Sequence, residues 1–301
     1  MIRFPASRSR GSTMNTRLLP AGRGRRAAAL IAAVILSVAF GAVTPADAAT
    51  TTACGGNPPD SVQDATHNHT MGSQVARHLG HRCAPRPTSF GPAAVVYGMD
   101  VSSYQGNVDW QTAWNNGGRF AYIKATEGTY YQNAYFAQQY NGSYNVGMIR
   151  GAYHFATPNT TDGTTQANYF VDHGGGWSGD GRTLPGALDI EWNPSGAECY
   201  GKSAGAMVQW ILDFSNTYHA RTGTWPMIYT AQQWWQDCTG NGGDFTSTNP
   251  LWVARYASSA GVLPYAWEFY TIWQYADSGT FPGDQDVFNG AYDRLQALAN
   301  G

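Results

Sequence analysis

Short apolar segments recur along the chain from residue 95 onward, and stretches with the spacing of amphipathic helices separate them. The apolar segments predict strands at residues 95–101, 120–125, 148–155, 184–192, 227–230, 251–256 and 270–275, with a weaker candidate at 286–288. The intervening stretches predict helices, for instance at residues 134–144 and 204–218. Because strands that alternate with helices pair in parallel through right-handed crossovers, the pattern predicts an α/β fold.

Seven or eight such strands favour an incomplete, TIM-barrel-like (β/α) barrel over an open sheet. Residues 95–301, which we expect to form this domain, are fewer than the roughly 250 usual for the fold. The late helices should therefore be shortened or missing.

The N-terminal residues have the pattern of an export signal. Seven arginines lie within the first 26 residues, an apolar run covers 27–43, and the A-x-A sequence Ala46-Asp47-Ala48 follows. This arrangement predicts a secretory signal peptide at residues 1–48, and hence a secreted, extracellular protein without stable membrane association after cleavage. A membrane anchor is the alternative, since roughly 17–25 apolar residues span a bilayer. The many small alanines and the helix-breaking Pro45 favour cleavage.

Residues 49–94 are rich in Thr, Gly, Pro, Asn and His and show little apolar periodicity. They end in a run, 84–92, that contains several prolines and a glycine. Such residues interrupt regular structure. The sequence therefore predicts a low-structure leader between the signal peptide and the barrel.

Charge and aromatic content narrow the class of ligand. Without residues 1–48 the chain keeps 11 basic and 19 acidic residues, a net charge of −8, and Lys124 and Lys202 are its lysines. No basic patch remains to neutralise phosphates, which argues against a nucleic-acid partner. The chain also contains 11 Trp and 18 Tyr. Flat, amphipathic rings suit the faces of sugars, although they are also ordinary core residues. Composition thus favours a carbohydrate ligand and gives no reason to expect more than a monomer.

Four cysteines follow the predicted signal peptide: Cys54, Cys83, Cys199 and Cys238. An even number in an exported chain predicts disulfide bonds, and four cysteines allow three connectivities. We favour the sequence-local pairing of Cys54 with Cys83 and of Cys199 with Cys238. A metal site is the alternative, because four histidines lie between Cys54 and Cys83, but their spacing is unlike that of known zinc sites. We expect no metal and no other cofactor.

Several predicted strands end in polar residues that an apolar core would not select. In strand order these are Asp100 with the nearby Tyr104, then Lys124 and Glu127, then Tyr153 and His154, then Asp189 and Glu191, and finally Trp273, Gln274 and Tyr275. If the strands are parallel neighbours, their carboxyl ends lie on one rim, where β/α barrels build active sites. We interpret Lys124 as the partner of a buried carboxylate, Glu127 as structural, and His154 as a hydrogen-bond partner in the core.

Asp189 and Glu191 have the spacing that a pair of catalytic carboxyls requires. Side chains two residues apart on a strand point the same way, and two carboxyls in one pocket cannot both ionise cheaply. Glycoside cleavage uses this asymmetry, with one protonated acid and one carboxylate. A buried salt bridge with Lys124 or Arg255, and a metal site that includes Asp100 and His154, are the alternatives.

Five motifs, in this order, resemble those of the glycoside hydrolase family 25 lysozymes. They are Gly98-Met99-Asp100-Val101-Ser102, Ala121-Tyr122-Ile123-Lys124-Ala125-Thr126-Glu127-Gly128, Arg150-Gly151-Ala152-Tyr153-His154-Phe155, Leu188-Asp189-Ile190-Glu191 and Trp273-Gln274-Tyr275. The resemblance covers about residues 97–301. It implies an N-acetylmuramidase on an incomplete β/α barrel. The family's Asp-x-Asn-x-Phe occurs here at residues 284–288 with Asp286 in place of Asn.

The resemblance also implies roles for individual residues. Glu191 would be the general acid, and Asp189 would orient the substrate's N-acetyl group or stabilise the cation beside it. Asp100 would complete the catalytic set, Asp284 would bind substrate or adjust charge, and Tyr153 would bind the sugar. Trp273 and Tyr104 are further candidates for substrate binding, and Cys199–Cys238 is the disulfide that similar bacterial lysozymes imply.

Taken together, these features predict hydrolysis of the β-1,4 bond between N-acetylmuramic acid and N-acetylglucosamine in the glycan strand of bacterial peptidoglycan. One alternative is a non-catalytic protein that binds peptidoglycan or another glycan at the same rim. Another is a hydrolase of a different acetamido glycan, such as chitin.

Overall fold

The computed structural model of the protein describes residues 68–84 and 95–301, which belong to one compact unit. Its strands are β1 (Val96–Val101), β2 (Gly118–Glu127), β3 (Tyr131–Gln132), β4 (Ile149–Phe155), β5 (Ala187–Asp189), β6 (Met227–Ala231), β7 (Leu251–Ala254), β8 (Ile272–Ala276) and β9 (Asp284–Phe288). Its helices are α1 (Ser73–Leu79), α2 (Trp110–Asn115), α3 (Phe136–Asn145), α4 (Gly163–Phe170), α5 (Ala204–Thr222), α6 (Gln232–Thr239) and α7 (Tyr292–Asn300). The predicted signal peptide, residues 1–48, lies outside the described residues.

Eight strands close into a barrel in the order β1, β2, β4, β5, β6, β7, β8 and β9, and β9 pairs back onto β1. The two-residue strand β3 is an antiparallel extension of β2. Neighbouring strands from β1 to β8 are parallel, whereas β9 is antiparallel to both of its neighbours. The predicted TIM-barrel-like α/β fold is confirmed, and the barrel is closed.

The direction of β9 departs from the parallel pairing that the sequence pattern implied. Residues 277–283 alone join β8 to β9. A parallel connection needs a dozen or more residues, so this short link permits only an antiparallel return.

Local sequence accounts for where several helices begin and end. Asp109, Asp162 and Ser203 precede α2, α4 and α5, and each side chain accepts a hydrogen bond from a backbone N–H three residues later. These bonds satisfy donors that a helix leaves unpaired in its first turn. Gly223 ends α5 with φ of 83°, a left-handed conformation that glycine adopts without steric cost.

The core lies inside the barrel and between the barrel and its helices. Strands β6, β7 and β8 are buried along their whole length, as expected for strands covered on both faces. The late helices are reduced, as predicted: α6 has eight residues, and within the described residues no helix connects β7 to β8.

Cys199 and Cys238 form a disulfide bond with Cα atoms 5.2 Å apart, which confirms that predicted pair. It joins the loop before α5 to helix α6. Cys83 is also disulfide-bonded, while Cys54, its predicted partner, lies outside the described residues. Within residues 68–84 and 95–301, no helix is long and apolar enough to cross a membrane.

Candidate active site

Four buried carboxyls gather where the parallel strands of the barrel end. Asp100 lies near the end of β1, Asp189 ends β5, and Glu191 follows two residues later. Asp284 begins β9 and is the cross-strand partner of Asp100. Because β9 runs in the opposite direction, its first residue lies at the same end of the barrel as the last residues of β1 and β5. We call this end the carboxyl rim.

Gln274, in β8, fixes two of these carboxyls. Its amide Nε2 donates to Asp100 Oδ2 at 2.7 Å and to Asp284 Oδ2 at 3.0 Å. Its Oε1 accepts hydrogen bonds from the hydroxyls of Tyr229, at 2.6 Å, and Tyr256, at 3.0 Å. Both ends of the amide are therefore engaged, and Asp100 and Asp284 are held at a set separation.

Asp286 lies two residues after Asp284 in β9 and is fully buried. Its Oδ1 accepts a hydrogen bond from the indole N–H of Trp252 at 3.1 Å. Burial raises the pKa of Asp286 well above its usual range, and the neighbouring Asp100 carboxyl raises it further. Burial and the Asp100 carboxyl thus both favour the neutral form of Asp286.

Asp189 is fully buried, and within the described residues neither of its carboxyl oxygens has a hydrogen-bond partner. Burial raises its pKa well above the usual range, and the charge on Glu191 acts in the same direction. The positive charge of Lys124 opposes this rise. Buried carboxyls are normally hydrogen-bonded, so the open oxygens of Asp189 are an exception that calls for an explanation.

Glu191 is also fully buried, but both of its oxygens accept hydrogen bonds. The backbone N–H of Gly72 donates to Oε1 at 2.9 Å. The N–H groups of Gln74 and Val75 donate to Oε2 at 2.9 and 3.0 Å. These three donors belong to residues 68–84, which precede the barrel in the chain.

The remaining predicted site residues divide into those at the rim and one that is elsewhere. Tyr153 is fully buried in β4, and its hydroxyl accepts a hydrogen bond from the backbone N–H of Met71 at 3.2 Å. The Tyr104 hydroxyl donates to the backbone oxygen of Asn68 at 2.9 Å. Both tyrosines therefore face the same cleft as the carboxyls.

The structure does not place Trp273 among the residues of the carboxyl rim. Its indole N–H donates to the backbone oxygen of Arg255 at 2.8 Å, and its ring packs edge-on against Tyr270 and Tyr275. Neighbouring residues of a strand face opposite sides of the sheet, and Gln274 faces the carboxyls, so Trp273 faces away from them. The structure thus places Trp273 apart from the carboxyls, and its role in substrate binding stays a prediction.

Lys124 neutralises Glu127, as the sequence suggested, and does not pair with Asp189. Its Nζ lies 2.6 Å from Glu127 Oε2, and both side chains are fully buried. The Nδ1 atom of His69 lies 2.7 Å from the other oxygen of Glu127. Burial lowers the pKa of Lys124, and the charge on Glu127 opposes this. The alternative in which Lys124 forms a salt bridge with the Asp189–Glu191 pair is therefore wrong, because Lys124 pairs with Glu127 instead.

His154 is a core residue, as predicted. Its Nδ1 lies 2.8 Å from the Thr126 hydroxyl and its Nε2 lies 2.9 Å from Gln166 Oε1. Burial lowers its pKa to about 4, so it is neutral near pH 7. Within the described residues, no group of three or more His, Cys, Asp or Glu is arranged to hold a metal ion.

The Lys124–Glu127 ion pair predicts that the fold becomes less stable in acid. Burial alone would raise the pKa of Glu127, but Lys124 and His69 outweigh it and lower the pKa to about 2. A carboxyl with a lowered folded-state pKa stabilises the fold above its unfolded pKa, about 4.3, and loses this contribution as the pH falls towards 2. The free energy of unfolding should therefore fall between pH 4.3 and 2 by more in the natural chain than in Glu127→Gln. Urea titrations at several pH values below 5 measure both slopes, and parallel curves would contradict the prediction.

A sequence profile of Glycosyl hydrolases family 25 matches residues 99–284, a range that contains all four carboxyls of the rim. This chain belongs to glycosyl hydrolases family 25. The alignment thus agrees with the motifs that suggested the family from the sequence.

Individual relatives in family 25 share about half of their aligned residues with this chain. The N,O-diacetylmuramidase of Chalaropsis sp is 51% identical over 210 residues, covering 68% of this chain and 100% of the relative. Lysozyme M1 of Streptomyces globisporus is 44% identical over 287 residues, covering 93% of this chain and 97% of the relative. A solved structure of a muramidase from Acremonium alcalophilum is 56% identical with a TM-score of 0.67, covering 68% of this chain and 99% of that chain.

These family 25 matches have two different lengths. A match over 210 residues has about the length of the barrel, residues 95–301, and accounts for the whole Chalaropsis protein. The match over 287 residues is too long for the barrel alone and includes residues that precede it. The Acremonium structure shows that a family 25 barrel folds in a chain of about barrel length.

Proposed function

We propose that this protein is a secreted lysozyme that hydrolyses the β-1,4 bond between N-acetylmuramic acid and N-acetylglucosamine in bacterial peptidoglycan. The observation that carries the proposal is the pair Asp189 and Glu191 at the end of β5 in a family 25 barrel. The names of the relatives, lysozyme and N,O-diacetylmuramidase, support this substrate. Secretion rests on the export-signal pattern of residues 1–48.

The two carboxyls divide the work of glycoside cleavage. This reaction needs a proton donor for the leaving oxygen and negative charge near the carbon that becomes positive. Glu191 donates its proton to the glycosidic oxygen as the bond from that oxygen to C1 breaks. Asp189 accepts a hydrogen bond from the N–H of the 2-acetamido group and stabilises the positive charge that develops there.

The open oxygens of Asp189 favour participation of the acetamido group. A buried carboxyl without a donor gains most from a substrate group that supplies one, and the acetamido N–H is such a group. The acetamido oxygen then attacks C1 and forms a cyclic oxazolinium ion. Glu191, now a carboxylate, takes a proton from the water that opens this ring. One water is added across the bond, and the proton returns to Glu191.

The other rim residues shape the sugar site in this proposal. Gln274 holds Asp100 and Asp284 on the opposite side of the barrel mouth from β5. Their carboxyls bind hydroxyl groups of the sugar and add negative potential where positive charge develops. The hydroxyls of Tyr153 and Tyr104 face the same cleft and are available to sugar oxygens once other partners leave.

Analysis of the digestion products tests the bond that is cut. Purified peptidoglycan is digested, its new reducing ends are reduced with borohydride, and the fragments are identified by mass spectrometry. Reduced muramic acid at the new ends is the expected result. Reduced glucosamine instead would overturn the bond assignment, and hydrolysis of chitin in place of peptidoglycan would reassign the substrate. Binding of peptidoglycan without any new reducing ends would make the protein a glycan-binding module.

A further inference from the structure

Residues 68–84, which we call the docked segment, lie across the carboxyl rim and fill it. The side chains of Met71 and Val75 have no solvent exposure and belong to the same apolar cluster as barrel residues such as Ile190 and Trp252. Helix α1 is only seven residues long, too short to be stable without such packing. The segment is therefore held by the barrel as part of its core.

The docked segment contacts the side chains to which we assign substrate binding. The backbone of Met71 bonds to the Tyr153 hydroxyl, and that of Asn68 bonds to the Tyr104 hydroxyl. The Tyr256 hydroxyl, which donates to Gln274, also lies 3.3 Å from the backbone oxygen of Gly72. These groups now serve the segment, so a sugar at the same place has to displace it.

The strongest conflict with substrate is at Glu191. A general acid must come within about 2.6–3.2 Å of the atom it protonates. Backbone nitrogens of the docked segment already occupy that distance, at 2.9–3.0 Å from both carboxylate oxygens. An amide N–H donates and cannot receive the proton. Glu191 is therefore bound as a carboxylate, the wrong form for its first step.

The state of Asp189 agrees with this picture. Burial and the charge on Glu191 both raise the pKa of Asp189 above its usual range, a direction that favours a protonated Asp189 beside a charged Glu191. Catalysis needs the reverse arrangement, with the proton on Glu191 and negative charge on Asp189. The docked segment thus blocks the cleft, and its three N–H donors stabilise the charged form of Glu191, which has no proton to give to the substrate.

Contacts outside the catalytic centre fasten the rest of the segment. The His78 ring stacks on Trp192, with centroids 4.5 Å apart and planes 7° apart. The N–H of Arg82 donates to Asp277 Oδ1 at 3.1 Å, and that of Ala84 donates to the backbone oxygen of Ser278 at 3.3 Å. The ring of Trp192, directly after Glu191, is thereby covered in the way that a stacked sugar would cover it.

We propose that the catalytic cleft is a binding site for residues 68–84 and that the full chain is a latent precursor, inhibited by its own segment. This inference rests on the proposed function. Activity requires hydrolysis of a peptide bond between residues 84 and 95 by an endopeptidase, in which water is added across the bond and the N-terminal fragment is free to dissociate. The family 25 relatives that match over the barrel length alone fit this scheme, because the barrel folds without a preceding segment.

Controlled cleavage of the full chain tests latency. The recognition sequence of a site-specific protease is inserted between residues 87 and 88, the folded protein is cut, and the N-terminal fragment is removed by gel filtration. A tethered segment has an effective concentration of about 1 mM, so a dissociation constant of about 10–100 µM predicts a roughly ten- to hundredfold rise in peptidoglycan hydrolysis. Equal activity before and after a complete cut would overturn the proposal.

A pair of glycine variants separates the cleft contact from general damage to the segment. A Cβ at Gly72 would lie 2.6 Å from Gln274 Oε1 and 2.2 Å from the Tyr256 hydroxyl, and φ there is +81°. Gln274 cannot easily move, because both ends of its amide are bonded. Gly80 also has positive φ, +94°, but a Cβ there meets nothing within 4 Å. In uncut chains, Gly72→Ala should recover most of the activity released by cutting, whereas Gly80→Ala should stay latent.

Binding of the free segment gives a readout that does not depend on activity. A fluorescent peptide with the sequence of residues 68–84 should bind the separated barrel, and the same peptide with Gly72→Ala should bind at least tenfold more weakly. If both peptides fail to bind at 1 mM, the inference is wrong even when the barrel is an active lysozyme. The natural peptide could also bind while no form of the protein produces new reducing ends that carry muramic acid. In that case the proposed function is wrong, but the inference that the cleft binds residues 68–84 still holds.

Discussion

Replacing Glu191 by glutamine should lower peptidoglycan hydrolysis by roughly 10²- to 10⁴-fold, the usual contribution of a general acid. The glutamine amide has nearly the shape of the carboxyl but no acidic proton for the glycosidic oxygen. The rate is measured as the release of reducing ends by the barrel after the docked segment has been removed, so that latency does not mask the effect.

A matched substitution nearby controls for the loss of charge. Glu198 is exposed on the loop that follows β5, seven residues after Glu191. Glu198→Gln changes the net charge equally and should leave the rate within about twofold, as expected of a surface substitution. A Glu191→Gln enzyme with near-normal turnover would remove Glu191 from the mechanism.

The same Glu191→Gln change should also loosen the docked segment in the uncut chain. The glutamine amide nitrogen has no lone pair to offer the N–H groups of Gly72, Gln74 or Val75, so at least one of these donors loses its acceptor. A buried donor left without an acceptor costs about 1–3 kcal/mol. The free energy of unfolding of the uncut variant should fall by about that amount, while that of the separated barrel should change less.

Most of the fold was predictable because a buried parallel strand appears in the sequence as a short, nearly continuous apolar run. The apolar runs at 251–256 and 270–275 correspond to β7 and β8, and their alternation with helices gave the barrel. Strand β5 is shorter than the predicted 184–192 and ends at Asp189. Beyond it the N–H of Ile190 still bonds to Tyr229, but the chain turns out of the ladder towards the rim. An apolar run cannot reveal where such a turn begins.

The candidate site was predictable where polar residues interrupt apolar strands. Asp100, Asp189 and Glu191 stand out in this way, and the structure brings them to one rim. The choice between Trp273 and Gln274 was not predictable, because both faces of a barrel strand are buried and apolarity does not show which one faces the interior. The structure selects Gln274 through its bonds to Asp100 and Asp284.

The docked segment left no clear signal in the sequence. Residues 49–94 predicted a leader of little structure, and a seven-residue helix such as α1 carries too few turns to show a periodicity. Its conformation depends on tertiary contacts, with Glu191 as the acceptor for three of its N–H groups. One hint was available: Gly72 and Gly80 bracket the apolar residues Val75 and Leu79, as glycines often bracket a short helix.

Replacing Asp189 by asparagine should separate activity from stability. We expect the rate of peptidoglycan hydrolysis to fall by roughly 10²- to 10³-fold, because the variant loses a fixed negative charge beside the carbon that becomes positive. The free energy of unfolding should stay within about 1 kcal/mol of the natural value or rise, because within the described residues Asp189 makes no hydrogen bond that the variant would lose. A residue kept for folding would show the opposite pattern, with stability lost and the rate per folded molecule unchanged.

Asp189 also distinguishes two reaction routes, one through the substrate's acetamido group and one through a glycosyl ester on the protein. If Asp189 orients the acetamido group, an N-acetyl thiazoline analogue of the cyclic intermediate should inhibit the natural barrel and bind Asp189→Asn more weakly, and no sugar should become attached to the protein. If Asp189 is instead a nucleophile, a slowly hydrolysed fluorosugar substrate should leave a glycosyl ester on Asp189, visible by mass spectrometry of the intact protein. The two oxygens of Asp189 favour the first route, because within the described residues neither has a hydrogen-bond partner and both can accept from the acetamido N–H.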